Sequence, residues 1–233
     1  VGREIRRAFV AEPGGVLVTA DYSQVELRLL AHLAADAALQ QAFRDGEDTH
    51  RAVASEVFAV PLDEVSREQR SAAKMVNFGI VYGITPYGLA RQLGGDTDVA
   101  RASAIIRDYK ARFTGIERFL ESCVSKARED GFVETICGRR RTIVEIDSND
   151  GQRRALAERL AINSVVQGSA ADLIKLAMIA LHHALPTVDP DARLVLQVHD
   201  ELVVETPQAS SDKVRDLVVS CMEGAMSLDV PLL

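Results

Sequence analysis

Arg193-Leu194-Val195-Leu196-Gln197-Val198-His199-Asp200-Glu201-Leu202-Val203-Val204-Glu205 reads as two apolar, valine-rich runs separated only by His199-Asp200-Glu201. Two such runs joined by so short a polar break predict an antiparallel hairpin with a carboxylate at its turn. A matching run, Val16-Leu17-Val18-Thr19-Ala20-Asp21, lies far upstream and also ends in a carboxylate. Its β-branched content predicts a buried strand. Between these runs the periodicity is helical. Helices are expected over 24–35, from Asp48-Thr49 towards residue 58, over 66–79 with Ser66 and Gln69 as a capping box, and over 87–93, 99–113 and 116–130. A small hairpin, 132–136 with 142–146, should fold around Cys137-Gly138, and a long helix should run over 152–185 and stop at Pro186. A last helix is expected over 211–226. One strand, many helices and then a strand pair predict an α+β chain: an antiparallel sheet in two sequence segments, interrupted by a mainly helical insertion. The corresponding boundaries are 1–36, 37–150 and 151–233.

The bulk numbers permit this and exclude little. At 233 residues, 47% hydrophobic and 26% charged, the chain is an ordinary globular mixture. No apolar run approaches the roughly 20 residues of a membrane span. The opening residues Val1-Gly2-Arg3-Glu4-Ile5-Arg6 lack a signal-peptide core. Three cysteines with no CxxC pair fit a reduced, cytoplasmic compartment. The net charge of −7 is unlike a strongly basic nucleic-acid binder, although local clusters such as Arg139-Arg140-Arg141 can override the total.

Three constellations carry chemistry. Asp21 and Asp200 at strand ends, with Glu201 beside the second, suit Mg²⁺, which takes a few carboxylates and completes its octahedron with water and substrate phosphates. Two such ions can serve phosphoryl transfer. Alone, a strand-end aspartate is more often a turn or cap residue. Arg70, Lys74 and Phe78 recur at steps of four, with Tyr82 just beyond. They place two cations and then aromatic rings along one helix face, able to grip a triphosphate and stack a base. The plain alternative is a solvated face with core aromatics. Arg159, Asn163 and Gln167 form a polar stripe on an otherwise apolar helix, with side chains suited to base edges and sugars. Its alternative is structural.

The segment Asp21-Tyr22-Ser23-Gln24-Val25-Glu26-Leu27-Arg28 resembles motif A of family A DNA polymerases, the group of bacterial DNA polymerase I. Arg70, Lys74, Phe78, Tyr82 and Gly83 resemble motif B, and Gln197-Val198-His199-Asp200-Glu201 resembles motif C. The likeness extends to Gly46-Glu47-Asp48-Thr49-His50 and Gln167-Gly168-Ser169-Ala170-Ala171-Asp172.

This resemblance implies a palm built from 1–36 and 151–233, with fingers at 37–150 inserted between them. It implies a DNA-directed DNA polymerase of replication and repair that transfers a nucleotide from a dNTP to a primer 3′-hydroxyl and releases pyrophosphate. Asp21, Asp200 and the Tyr22 carbonyl would hold two Mg²⁺ ions, for which Mn²⁺ can substitute, with Glu201 as a further catalytic carboxylate. Lys74, Arg70 and His50 would contact the triphosphate, with Lys74 also a proton donor to pyrophosphate. Gln24 and Tyr22 would border the nucleotide, and Phe78 and Tyr82 would stack on it. Glu26 would be the gate against a ribose 2′-hydroxyl. Arg159, Asn163, Gln167 and His199 would contact primer–template DNA. Closure of the 70–82 helix over a correct pair would add selectivity. A monomer that engages no membrane, without thumb or exonuclease-like domains, completes the expectation. Its rivals are a catalytically inactive primer–template or nucleotide-binding module and a metal-dependent nuclease.

Overall fold

A computed structural model describes residues 7–95 and 97–233. The opening residues 1–6, read above for a signal-peptide core, lie outside them. In chain order the elements are β1 (Gly15–Asp21), α1 (Val25–Leu33), α2 (Ala37–Arg44), α3 (Thr49–Phe58), α4 (Arg67–Val81), α5 (Pro86–Leu93), α6 (Val99–Arg112) and α7 (Thr114–Asp130). There follow β2 (Phe132–Glu134), β3 (Arg140–Thr142), α8 (Gly151–Val188), β4 (Arg193–Val198), β5 (Glu201–Pro207) and α9 (Ser211–Glu223). Helices with antiparallel sheets make the chain α+β. Its contacts divide into two units, Val1–Val25 with Ala170–Leu233, and Glu26–Ser169.

The first unit is built on a three-stranded antiparallel sheet in the order β1-β5-β4. Leu202, Val204 and Thr206 of β5 are buried, and α9 packs against β1 and β5 through Val214, Val218 and Met222. Their spacing of four puts these three on one helix face. β1 is not the fully buried strand its composition predicts, since none of its residues is completely covered. One sheet face explains this: Leu17, Thr19, Val195, Leu196 and Val198 line an open depression with Phe9 and Val10. Sequence period alone cannot tell a strand covered on both faces from one covered on a single face.

In the second unit, local chemistry sets the helix boundaries. The Gln69 amide donates to Ser66 Oγ at 3.2 Å, and the Gln69 side chain accepts from the Ser66 amide at 2.8 Å, closing the expected capping box of α4. Thr85 caps α5 with Pro86 in its first turn, and Asp98 caps α6. Gly131, at φ +75°, ends α7 in the left-handed region. Helix α2 has no counterpart in the expected elements, although Asp36 caps it through the Leu39 amide.

The small hairpin is shifted from its expected place. Its second strand is 140–142 rather than 142–146, because a turn closes from the Gly138 amide to the Thr135 carbonyl and Gly138 takes φ +76°. That early turn draws the arginines themselves into β3. Cys123, Ala127, Val133, Ile143, Ile146, Ala157, Ala161, Ile162 and Val165 form a continuous core beneath it. Pro186 likewise does not end α8, which continues to Val188. Proline removes one hydrogen bond, the one to the exposed His182 carbonyl, and at the last turn water can satisfy that oxygen. Helix α8 is also long and apolar enough to cross a membrane, although 56% of its most apolar window is buried inside the protein. The three cysteines are unpaired.

Gly115 marks a close approach to backbone. Its amide donates to Asp36 Oδ2 at 2.7 Å, while Oδ1 of the same carboxylate caps α2. A Cβ at Gly115 would lie 2.8 Å from Asp36 Cα, which is backbone and cannot swing aside. Gly115→Ala should therefore lower unfolding free energy by about 1–3 kcal/mol through overpacking. Urea denaturation measures this, and an unchanged midpoint would show that the junction relaxes freely.

Candidate active site

In the first unit the register of β1 with β5 brings the two strand-end aspartates into one locality. Asp21 lies opposite Glu201, and the Tyr22 amide donates to the Asp200 carbonyl at 3.3 Å. Val198 pairs with Glu201, so His199 and Asp200 form a two-residue turn with His199 at φ 54°. Gln24, at φ 55°, turns the chain just after β1. Tyr22 is buried with its hydroxyl donating to the Met222 carbonyl at 2.5 Å, which anchors the residue following Asp21 to the helical layer. Burial and the Cys221 thiol together push the Tyr22 phenol pKa well up.

Asp21 is exposed and Asp200 half-buried. Burial, and then the charge of Asp21, raise the Asp200 carboxyl above the usual carboxylate range, with His199 opposing them. Two carboxylates held so that one resists ionisation form a site that a cation would relieve. The donor set fits a hard divalent ion: carboxylate oxygens from Asp21 and Asp200 and the main chain at Tyr22. Among the described residues no group of three or more His, Cys, Asp or Glu side chains is arranged as a metal site. Mg²⁺ is commonly held by one or two carboxylates plus substrate phosphates, so a protein cage is not required.

The second unit holds a separate cluster. Asp48 accepts at Oδ1 from the His50 and Arg51 amides (3.1 and 3.2 Å), and at Oδ2 from Arg70 Nε (2.5 Å). One carboxylate thus caps α3 and pins Arg70 of α4. Burial works to raise its pKa, but the Arg70 hydrogen bond, the Arg51 amide and the Arg70 charge outweigh that and hold Asp48 below its ordinary value. His50 is 1% exposed, and its Nδ1 lies 2.7 Å from Asn77 Nδ2. Burial drives its pKa down to about 4; Asp48 opposes this, and Arg70 and Lys74 add to it. The ring is therefore neutral at neutral pH.

Lys74 is exposed, with Nζ 5.9 Å from the Phe78 ring centre. Phe78 lies 6.2 Å from Tyr82 with the rings nearly parallel, and 6.0 Å from His50. Tyr82, the residue that ends α4, donates its hydroxyl to Glu26 in a short hydrogen bond. His50, Arg70, Lys74, Phe78, Tyr82 and Glu26 are thus linked along one side of α4. Arg159 of α8 lines the same neighbourhood: a Cβ at Gly83, where φ is +74°, would lie 3.2 Å from Arg159 Cγ. Asn163 is half-buried and Gln167 exposed one turn further along α8. Sequence spacing marks Asp48 as a helix cap and gives it no role towards Arg70, and it does not mark Asn77. The signal for Asn77 was a lone amide on the apolar side of α4, between Ala73 and Ile80.

The family described as DNA polymerase family A matches residues 1–233. DNA polymerase I of Pseudomonas aeruginosa is 49% identical over 99% of this chain, and that of Caldicellulosiruptor bescii 46% identical over 99%. The chain spans 25% and 27% of their respective lengths. A solved structure described as the POL domain of Pol1 from M. smegmatis, in complex with DNA primer-template and dNTP, is 45% identical. It superposes with a TM-score of 0.93 over 100% of this chain and 41% of its own. A match along the whole sequence, with relatives near half identity, places this chain in DNA polymerase family A.

Proposed function

We propose that the chain carries the nucleotidyl-transfer site of a template-directed DNA polymerase, with primer–template DNA and dNTPs as its ligands. The observation that carries this reading is the pairing of Asp21 with Asp200–Glu201 at one end of the sheet, where the Asp200 carboxyl is pushed up beside Asp21. Family membership supports it. The proposed palm is 1–36 with 151–233 and the proposed fingers 37–150; the contact division falls elsewhere, between Val25 and Glu26 and between Ser169 and Ala170.

Asp21 and Asp200, with the Tyr22 carbonyl, would hold two Mg²⁺ ions. When bound, these supply charge compensation to the attacking 3′-oxygen and to the departing pyrophosphate. The protein's own groups would orient the substrate. Arg70, fixed at Nε by Asp48, keeps its outer nitrogens for phosphate oxygens, and Lys74 adds a mobile ammonium one turn away. Phe78 and Tyr82 offer stacked faces to the base and sugar. Glu201 adds negative charge next to Asp200, and Gln24 borders the chain turn after Asp21. Arg159, Asn163, Gln167 and His199 supply donors for the primer–template. A cytoplasmic monomer that engages no membrane is part of the same reading. Primer extension with dNTPs and Mg²⁺ tests the reading. Strand cleavage without any need for a triphosphate would replace it with a nuclease.

The Glu26–Tyr82 hydrogen bond gives this reading a sharper test. It holds the Glu26 carboxylate beside the ring proposed to border the sugar, which fits Glu26 as the barrier to a 2′-hydroxyl. Glu26→Ala should raise the ratio of ribonucleotide to deoxyribonucleotide efficiency by about ten- to a hundredfold, within the range one steric or polar discrimination supplies. Overall rate should fall as well, because Tyr82 loses its acceptor. Tyr82→Phe keeps the barrier and should shift the ratio far less. Steady-state incorporation of each sugar measures both, and an unchanged ratio in Glu26→Ala removes it from the gate.

A further inference from the structure

His50 and Asn77 form a buried polar pair whose bonding is incomplete. Each is nearly inaccessible, at 1% and 2% exposure. Asn77 Nδ2 lies 2.7 Å from His50 Nδ1, while His50 Nε2 and Asn77 Oδ1 are buried without a hydrogen-bond partner. An amide nitrogen can only donate, so Nδ1 must accept and the ring proton must sit on Nε2. The ring is thereby set as a neutral donor with no acceptor among the described residues. Leaving a buried donor unmet is costly, and such groups call for an explanation.

The surroundings indicate what the acceptor is. Arg70 and Lys74 both act electrostatically on this ring, with Asp48 opposing them. An oxyanion with several oxygens can meet Arg70, Lys74 and Nε2–H together. The aromatic neighbour of the ring is Phe78, 6.0 Å away and only partly covered.

We propose that Asn77 is a positioning residue: by donating to His50 Nδ1 it fixes the ring in the Nε2–H tautomer, aimed at a phosphate oxygen of the incoming nucleoside triphosphate. This rests on the nucleotide-binding role argued above for α4. Asn77 does not touch substrate itself. It acts through the imidazole, as outer groups do when they fix the tautomer of a ligating histidine.

Two measurements test it. The first reads the tautomer directly, from the ring ¹⁵N shifts of histidine-labelled protein, with His50→Gln identifying the His50 signals among five histidines. An Nε2–H pattern is expected in the parent. Asn77→Asp keeps the shape but can only accept, and should switch the pattern to Nδ1–H. An Nδ1–H tautomer in the parent, or no change in Asn77→Asp, overturns the assignment.

The second measurement is primer extension. Asn77→Asp should raise KM for dNTP about tenfold, the worth of one hydrogen bond to a charged group, with a smaller effect on kcat. In a His50→Gln background the same substitution should have little further effect. A loss that persists there undiminished would mean the new charge, not the imidazole, is responsible, and would overturn the coupling. Should the parent show no nucleotide-dependent extension, the polymerase reading fails, while the spectrum still decides what Asn77 does to His50.

Discussion

Asp21→Ala and Asp200→Ala should each reduce primer extension at least about a thousandfold, equivalent to roughly 4 kcal/mol of transition-state stabilisation, while leaving the fold intact. Neither side chain supports the core. Asp21 is exposed and Asp200 half-buried at the open end of the sheet, and the strand pairing there uses the main chain. For Asp200 the electrostatics go further. Its carboxyl is raised above the ordinary range by burial and by Asp21. A raised carboxylate favours the native state only when protonated, so above its folded pKa the ionised form works against folding. At neutral pH, Asp200→Asn should thus match or exceed the parent in thermal stability while failing in extension. The same relief is available to a bound divalent ion, so Mg²⁺ should stabilise the parent and lose that effect in both variants. Extension rates and melting curves with and without Mg²⁺ check both halves. Either variant working within tenfold of the parent would end the two-carboxylate assignment.

The sheet was legible because valine-rich runs end at Asp21 and flank His199-Asp200-Glu201, and strand pairing then follows from period and turn length. The helix carrying Arg70 and Lys74 was legible for a similar reason, since Ser66 and Gln69 announce its start. What sequence could not supply was coverage and register. β1 has the composition of a strand buried on both faces but lies along an open depression, a matter of what packs above it rather than of its own residues. The arginine hairpin slipped because a left-handed Gly138 closes the turn early, and one glycine in a Cys-Gly pair does not say which residue takes positive φ.

The site divides along the same line. Residues whose chemistry is intrinsic, such as Asp21 and Lys74, can be picked from spacing and resemblance. Asn77 and the double role of Asp48 are defined by partners 27 and 22 positions away, visible only once α3 and α4 are packed.

Lys74→Ala and Arg70→Ala should each cost roughly 2–4 kcal/mol in transition-state stabilisation, about thirty- to a thousandfold in kcat/KM for the nucleotide, if they act as electrostatic donors to the transferring phosphates. The two should differ in kind. Arg70 is tied to Asp48 at 2.5 Å through Nε, so its guanidinium is oriented before substrate arrives. Lys74 makes no such ion pair among those described and reaches past the edge of Phe78. Arg70→Lys keeps the charge but loses the fork that can bond Asp48 and a phosphate at once, so it should recover little. Lys74→Arg should recover more, because a longer cation at an exposed position can still meet an anion. Stability should hardly move in any of these variants: the Arg70–Asp48 pair is 43% and 33% exposed at its side chains, and such pairs contribute at most about 1 kcal/mol. Primer–template affinity should also change little if the charge removed faces the nucleotide, as proposed. Nucleotide kinetics and DNA-binding titrations, run on the same variants, separate these roles. If DNA affinity collapses while nucleotide kinetics hold, the cations of α4 face the duplex instead of the triphosphate.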